Sequence, residues 1–431
     1  MTTITASKTK WVETKIGDTC TVGDGAHAKI KRQAAGIIYL TSKNIKHEKL
    51  SLVNIDYISE EDFKKYFRKN SKVIKSPQID DVLLCIIGAS MGDSCFVKVK
   101  KTFGLSSSVA ILRANESILF PKYLYYWTRG YIFQDALYGI KGGAAQGYAS
   151  QEMIKSLPLN YPPLPTQCKI AAILSAYDRL IENNTRRIEI LEEMARSIYR
   201  EWFVKFRFPG HEQVQMLDSE LGLIPEGWKL KKLDELGSIG RGKSKHRPRN
   251  DPSLYGGNYP FVQTGEVKEA LLYITHYSQT YNEKGLAQSK LWEPKTLLLT
   301  IAANIAETAI LKIQACFPDS IVGFVADSEQ VTPEFIKFRI DDIKEKMQSF
   351  SRGTAQDNLS LDKIKLFYFL VPDKDYIILF EKYTAPLFSQ VQNLLLKNAN
   401  LRLTRDLLLP RLISGEIDVE NLDINTGEIA A

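Results

Sequence analysis

Apolar residues along this chain fall into two patterns, short continuous runs and long helical stripes, and each pattern occurs twice. The runs 82–88 and 297–303 are bounded by turn residues and are too short for ordinary helices, so they predict buried strands. Segments 108–112 and 321–325 read as further strands. Pro121 and Pro333 then open apolar-periodic helices over 121–127 and 333–340. A strand ending in a polar turn runs from Tyr39-Leu40-Thr41 to Ile45-Lys46, and its counterpart runs from Phe261-Val262-Gln263 to Val267-Lys268. Trp11 ahead of Ile16-Gly17 recurs as Trp228 ahead of Leu236-Gly237. Each half is therefore a mixed α/β (α+β) domain followed by a long helix.

The helical stripes carry the clearest periodicity. Ile170, Leu174, Tyr177, Ile181, Asn184, Ile188, Leu191, Ala195, Ile198 and Trp202 step by alternating fours and threes, the a/d spacing of a coiled coil. Shifted by about 210 residues, the same steps fall on Phe380, Thr384, Leu387, Val391, Leu394, Asn398, Leu401, Arg405, Leu408 and Leu412. Two loop-to-helix junctions repeat at the same offset: Gly143-Ala144-Ala145-Gln146 before Ser150 and Ile154-Lys155, and Gly353-Thr354-Ala355-Gln356 before Ser360 and Ile364-Lys365. Nearer the start of each half the offset is larger, so insertions fall in the domains and not in the helices.

Each helix supplies the partner that the other lacks. A pseudo-twofold relation between the halves makes the pair antiparallel and sets Asn184 opposite Asn398. Two readings of these asparagines stay open: a buried amide pair fixing register, or two solvated positions at the edge of the stripe. A helix of roughly forty residues is about 60 Å long. That suits a spacer between domains standing on DNA segments about one turn, ~34 Å, apart. Thr384 and Arg405 weaken the seam, and Phe203 and Phe206 read as an outer apolar face, so partner subunits are expected to cover these positions.

Composition adds a modest tilt. With 57 Lys+Arg against 50 Asp+Glu the net charge is +7, which favours a polyanionic partner. The first residues hold no apolar signal region and no stretch approaches membrane-spanning length, so a cytoplasmic protein is expected. Five cysteines without CxxC spacing argue against a disulfide framework or a zinc site.

Gly237-Ser238-Ile239-Gly240-Arg241-Gly242-Lys243-Ser244 matches the phosphate-loop pattern letter for letter, but its surroundings contradict that reading. The segment before it is charge-rich, and Pro248 and Pro252 forbid the helix that a phosphate loop needs directly after it. The same stretch reads better as a basic loop, in which Arg241, Lys243, Lys245, Arg247 and Arg249 suit phosphate contact and Arg can also address guanine. The alternative is a solvated charge run. The counterpart in the first half is Lys29, Lys31 and Arg32, beside His27. Lys141 and Arg352 flank the duplicated junctions and are candidates for the same DNA-facing surface. Two further patches, Lys43/Lys46/Lys49 and Lys64/Lys65/Arg68/Lys69/Lys72/Lys75, lie partly among acids. Asn160-Tyr161-Pro162-Pro163 only approximates an adenine-methylation motif, and Asp319, Asp342 and Lys344 do not converge as a nuclease set would. No catalytic residue and no metal site is expected.

The 353–365 junction, Pro162-Pro163-Leu164-Pro165-Thr166-Gln167 leading into a long helix, Ile224-Pro225-Glu226-Gly227-Trp228 ahead of Arg241-Gly242-Lys243-Ser244, and Leu409-Pro410-Arg411-Leu412-Ile413-Ser414-Gly415 all resemble elements of the specificity (S) subunits of type I restriction-modification systems. The resemblance spans essentially the whole chain. It departs from the family at Cys168 and at Val371-Pro372-Asp373-Lys374, so the second helix is expected to begin differently from the first.

The resemblance implies two target recognition domains, 1–160 and 211–372, a central helix within 161–210, and a distal helix with tail over 373–431. It implies a non-catalytic subunit that reads a bipartite asymmetric site in double-stranded DNA. The partners it implies are two modification (methyltransferase) subunits and the restriction subunits. S-adenosylmethionine, ATP and Mg would belong to those partners, with no cofactor bound by this chain. The rival is a coiled-coil scaffold that presents two domains to other proteins without touching DNA. A fused restriction-methylation enzyme would need catalytic motifs that do not occur here.

Overall fold

The computed structural model describes residues 11–46, 49–52, 55–67, 74–98, 101–140, 147–220, 222–246, 248, 250–302, 304–351 and 359–427. They fall into two compact units, Met1–Leu180 with Leu401–Ala431, and Ile181–Asn400. Each unit takes one mixed domain together with a stretch of both long helices, so the helices are shared between the units and are not bodies of their own.

In the first unit a four-stranded antiparallel sheet is built from β1 (Cys20–Asp24), β2 (Val82–Cys85), β3 (Ser94–Phe96) and β4 (Val109–Ala114), in the order β1-β4-β2-β3. The 82–88 run is apolar throughout because β2 is covered on both faces. Val82 and Leu84 pack with Tyr123, Leu124 and Trp127 of the helix Pro121–Arg129, whereas Leu83 and Cys85 pack with Leu40, Phe103 and Leu105. Ile37–Leu40 and Phe103–Leu105 run parallel in a smaller sheet with Asp56–Ile58. A two-stranded ribbon, Val12–Lys15 against Pro158–Tyr161, ties the two ends of the domain together.

The second unit repeats this plan with β5 (Gly237–Arg241), β6 (Tyr273–Ile274), β7 (Leu297–Thr300), β8 (Thr308–Leu311) and β9 (Ile321–Ala326). The order is β5-β9-β7-β8-β6, so β5, β9, β7 and β8 stand as β1, β4, β2 and β3 do, and β6 is an added parallel edge. The ribbon recurs as Lys229–Lys232 against Tyr368–Val371, and the proline-opened helix recurs as Pro333–Asp342. Of the duplicated junctions, Ser150 and Ser360 cap short helices by accepting from Met153 N at 3.2 Å and Lys363 N at 3.3 Å. Residues 143–146 and 353–356 lie outside the described residues. The two units differ in what is inserted between the strands. The second carries a two-stranded sheet, Tyr255–Phe261 against Gln279–Tyr281, and two short helices, Thr264–Glu269 and Glu283–Ala287.

The central helix spans Leu164–Tyr199 and widens into a π turn at Arg200–Val204, while the distal helix spans Lys374–Ile413. Every seam position named from the sequence is buried or half-buried. Within the second unit the two helices run antiparallel, with Trp202 against Phe380 (ring centroids 6.2 Å) at one end and Asn184 against Asn398 at the other. Asn184 Nδ2 donates to Asn398 Oδ1 at 2.9 Å, and Asn398 Nδ2 reaches Thr185 Oγ1 at 3.3 Å.

The positions expected to need outside cover are covered by the chain itself. Thr384 is buried and donates its hydroxyl to Phe380 O at 2.8 Å. Phe203 lies among Tyr199, Phe335 and Phe380, and Phe206, at the helix end with φ 57°, packs on Trp228 with centroids 5.4 Å apart. Arg405, in the first unit, is 3% exposed and its Nη1 lies 2.7 Å from Asp178 Oδ1. Asp178 Oδ2 in turn accepts from Tyr126 OH at 2.6 Å, and Arg129 lies 3.9 Å behind it. Taken one helix at a time these side chains lack partners, and a neighbouring helix or sheet supplies them.

Candidate nucleic-acid interface

The basic loop leaves β5 at Arg241 and is fixed from below by its own backbone. Gly242 N donates to Ile321 O (2.9 Å), Lys243 N to Phe317 O (3.0 Å), and Lys245 N and His246 N both to Gln288 Oε1 (2.6 and 3.0 Å). The N–H groups that a phosphate cradle would present are therefore already satisfied, the physical counterpart of the missing helix. Gly242 is required for this approach, since a Cβ there would sit 2.3 Å from Pro318 O and 2.4 Å from Phe317 O. With the backbone held down, Lys243 and Lys245 extend into solvent. Arg241 is exposed as well, with Nε and Nη2 on Asp319 O at 3.1 and 2.9 Å. Arg247 and Arg249 lie outside the described residues. The Ser253 backbone N–H and hydroxyl, with His246, hold the nearby Asp251 carboxyl down at about 2, so this acid is engaged with His246 and Ser253 and not with the lysines.

The first-domain cations divide differently. Lys29 and Lys31 are exposed. Arg32 is held by Asp56 (3.0 Å), by Ile30 O (3.0 Å) and by the Tyr39 ring 3.9 Å beneath its guanidinium. Lys75, named with the patch at 64–75, turns inward to Asp24 at 2.5 Å and Gly25 O at 3.1 Å. Burial of Asp24 works to raise its pKa, but hydrogen bonds from Lys75, His27 and Gln151 outweigh that and hold it below the usual range. Lys64 pairs with Glu60, while Lys43 and Lys46 face solvent. Lys141, Arg68, Lys69, Lys72 and Arg352, and the side chain of Lys49, lie outside the described residues. Among the described residues no cluster of His, Cys, Asp and Glu is placed to hold a metal, and no helix is long and apolar enough to cross a membrane.

The model of the type I restriction modification DNA specificity domain matches twice, over residues 8–193 and 225–401. The chain belongs to this family. Each match takes in one sheet, its ribbon and most of the long helix that follows. Among relatives, the type I restriction enzyme MjaIX specificity subunit of Methanocaldococcus jannaschii is 28% identical over 310 residues, covering 70% of either chain. The HindI specificity subunit of Haemophilus influenzae is 25% identical over 327 residues, 62% of this chain and 70% of that one. A crystal structure of a type I restriction-modification system S subunit from M. genitalium shares the fold, with a TM-score of 0.51 at 14% identity, covering 95% of this chain and 97% of that one.

Two functional features of the helix frame are not evident from local sequence pattern. Gln167, in the motif that opens the central helix, is fully buried: its Nε2 donates to Ile118 O and Pro162 O, and its Oε1 accepts from Phe120 N. It pins the helix start to the loop before Pro121. The Asp178 network is the other. Its signal lies in the sequence, because a buried seam arginine requires an anionic partner, and Asp178 stands next to the seam residue Tyr177, as Asp406 stands next to Arg405.

Proposed function

We propose that this chain is the sequence-reading subunit of a type I restriction-modification system. It recognises a bipartite, asymmetric site in double-stranded DNA, one half-site per domain, and directs modification and restriction subunits to it. Methyl transfer and ATP hydrolysis, with S-adenosylmethionine, ATP and Mg, are assigned to those partners. One observation carries this reading: the same sheet order is built twice, and the two copies carry different exposed loops. A repeated frame with unequal loops suits a target whose halves differ.

The test is to purify the chain with its modification subunits and map methylated adenines across a genome. A single two-part motif is expected, and methylation without a motif would overturn the reading. In the same complex, Arg241→Ala/Lys243→Ala/Lys245→Ala should weaken binding to all sequences alike and reduce the log–log salt slope by roughly one unit per lost phosphate contact. Unchanged affinity and slope would clear this loop of DNA contact.

A further inference from the structure

Cations on the basic loop account for attraction to phosphate and leave the choice of base unexplained. Two exposed, uncharged side chains stand close to that loop. Gln263 Nε2 donates to Gln279 Oε1 at 2.8 Å. One carboxylate fixes the two segments that carry them. Glu266 accepts from Gln263 N (3.1 Å) through Oε2, and from Ser278 N (3.3 Å) and Ser278 Oγ (2.5 Å) through Oε1.

Gln279 of the pair stands on the strand beside the loop that carries the cations. Gln279 and Tyr281 are two residues apart on one strand and so project to the same side. Tyr281 is buried on that side with Ser244 of the basic loop and Gln288 beside its hydroxyl, and Gln288 is the residue that anchors Lys245. Lys268, on the short helix that follows Gln263, adds a further exposed cation.

We infer that the Gln263–Gln279 amide pair reads an A·T base pair of the second half-site from the major groove. The inference rests on the DNA-reading function proposed above. A hydrogen-bonded pair of amides keeps acceptor capacity on one carbonyl oxygen and donor capacity on one NH2 group. Adenine presents the complement, an N6 donor beside the N7 acceptor. Guanine presents two acceptors there and would set O6 against the Gln carbonyl. Because Glu266 holds both segments in place, the pair meets the base with little ordering left to do.

The test uses the chain assembled with its modification subunits and a plasmid library randomised across the second half-site. The wild-type complex is expected to require adenine at one position. Gln263→Ala, Gln279→Ala and the stem-keeping Gln279→Met should each lower that preference roughly ten- to hundredfold at the same position. The rest of the motif and the first half-site should be unchanged. If the wild type reads a bipartite motif and the variants read it unchanged, the inference is overturned and the parent reading stands. A uniform loss of methylation at every sequence would make the pair a backbone contact and overturn it too. A wild-type complex with no motif at all would overturn both.

Discussion

In the first unit the seam between the long helices is crossed by Arg405 and Asp178, with Arg129, Tyr126 and Ser175 behind them. In the second it is crossed by Tyr199, Trp202, Phe203 and Phe380, with Phe335 and Phe338 behind them. The heptad spacing is the same in both, and so is the order of the shared sheet strands beside it. The chemistry differs because a coiled-coil position asks only that the side chain be satisfied when buried, by packing in one case and by a charged partner in the other. The aromatic end derives its stability from area and shape, and the charged end derives its specificity from the cost of leaving an ion alone.

The comparison is broken most strongly at the aromatic end. Phe380→Ala should cost about 4 kcal/mol, because three seam rings of the central helix lose a common neighbour and the space cannot close. Urea unfolding of the full chain reads this loss, and hydrogen exchange should place it in residues 181–400. A loss below about 1 kcal/mol would mean that the cluster is redundant.

At the charged end the larger effect comes from the carboxylate and not the arginine. Asp178→Ala removes the carboxylate that Arg405 and Arg129, both almost fully buried, share, while Arg405 keeps Asp406 at 2.9 Å and Arg129 keeps Tyr125 OH at 3.2 Å. About 3 kcal/mol is expected, at the lower end for a broken buried pair because Asp178 is itself 22% exposed. Asp178→Ala together with Arg405→Leu should be less damaging than Asp178→Ala alone. Simple addition of the two single effects would show that the pair does not act as a unit.

These pairings mark the limit of what the sequence makes legible. The strands at 82–85 and 297–300, the proline-opened helices and the full seam follow from local periodicity, and the repeat made each half a check on the other. The fates of single cations do not follow from it. Arg32 lies in a basic run, yet Asp56, 24 residues away, takes its guanidinium. Lys75 belongs to a basic patch and ends on a buried aspartate. Pro248 and Pro252 suffice to deny the basic loop the helix of a phosphate loop. Its anchoring by Gln288, 43 residues from Lys245, depends on tertiary packing that no local pattern carries.

A finer difference between the two ends lies at Glu192, on the central helix in the second unit. Its Oε1 is buried without a hydrogen-bond partner, and burial pushes the carboxyl up to about 7 despite the pull of Lys337 and Arg196 and a hydrogen bond from the Leu272 backbone. Glu189 on the same helix adds to the rise. A folded-state pKa above the unfolded one means that the native state binds this proton more tightly. The stability it contributes is therefore complete below pH 4.5 and is lost as pH rises through about 7. Glu192→Gln keeps the shape of the protonated form, so wild type and variant should be equally stable near pH 4.5. By pH 8 the variant should be ahead by about 3 kcal/mol. Measuring both proteins by urea unfolding across that range cancels every other titrating group. A difference that stays flat with pH would show that the carboxylate is solvated and that Glu192 adds no pH sensitivity to set against the Asp178 network.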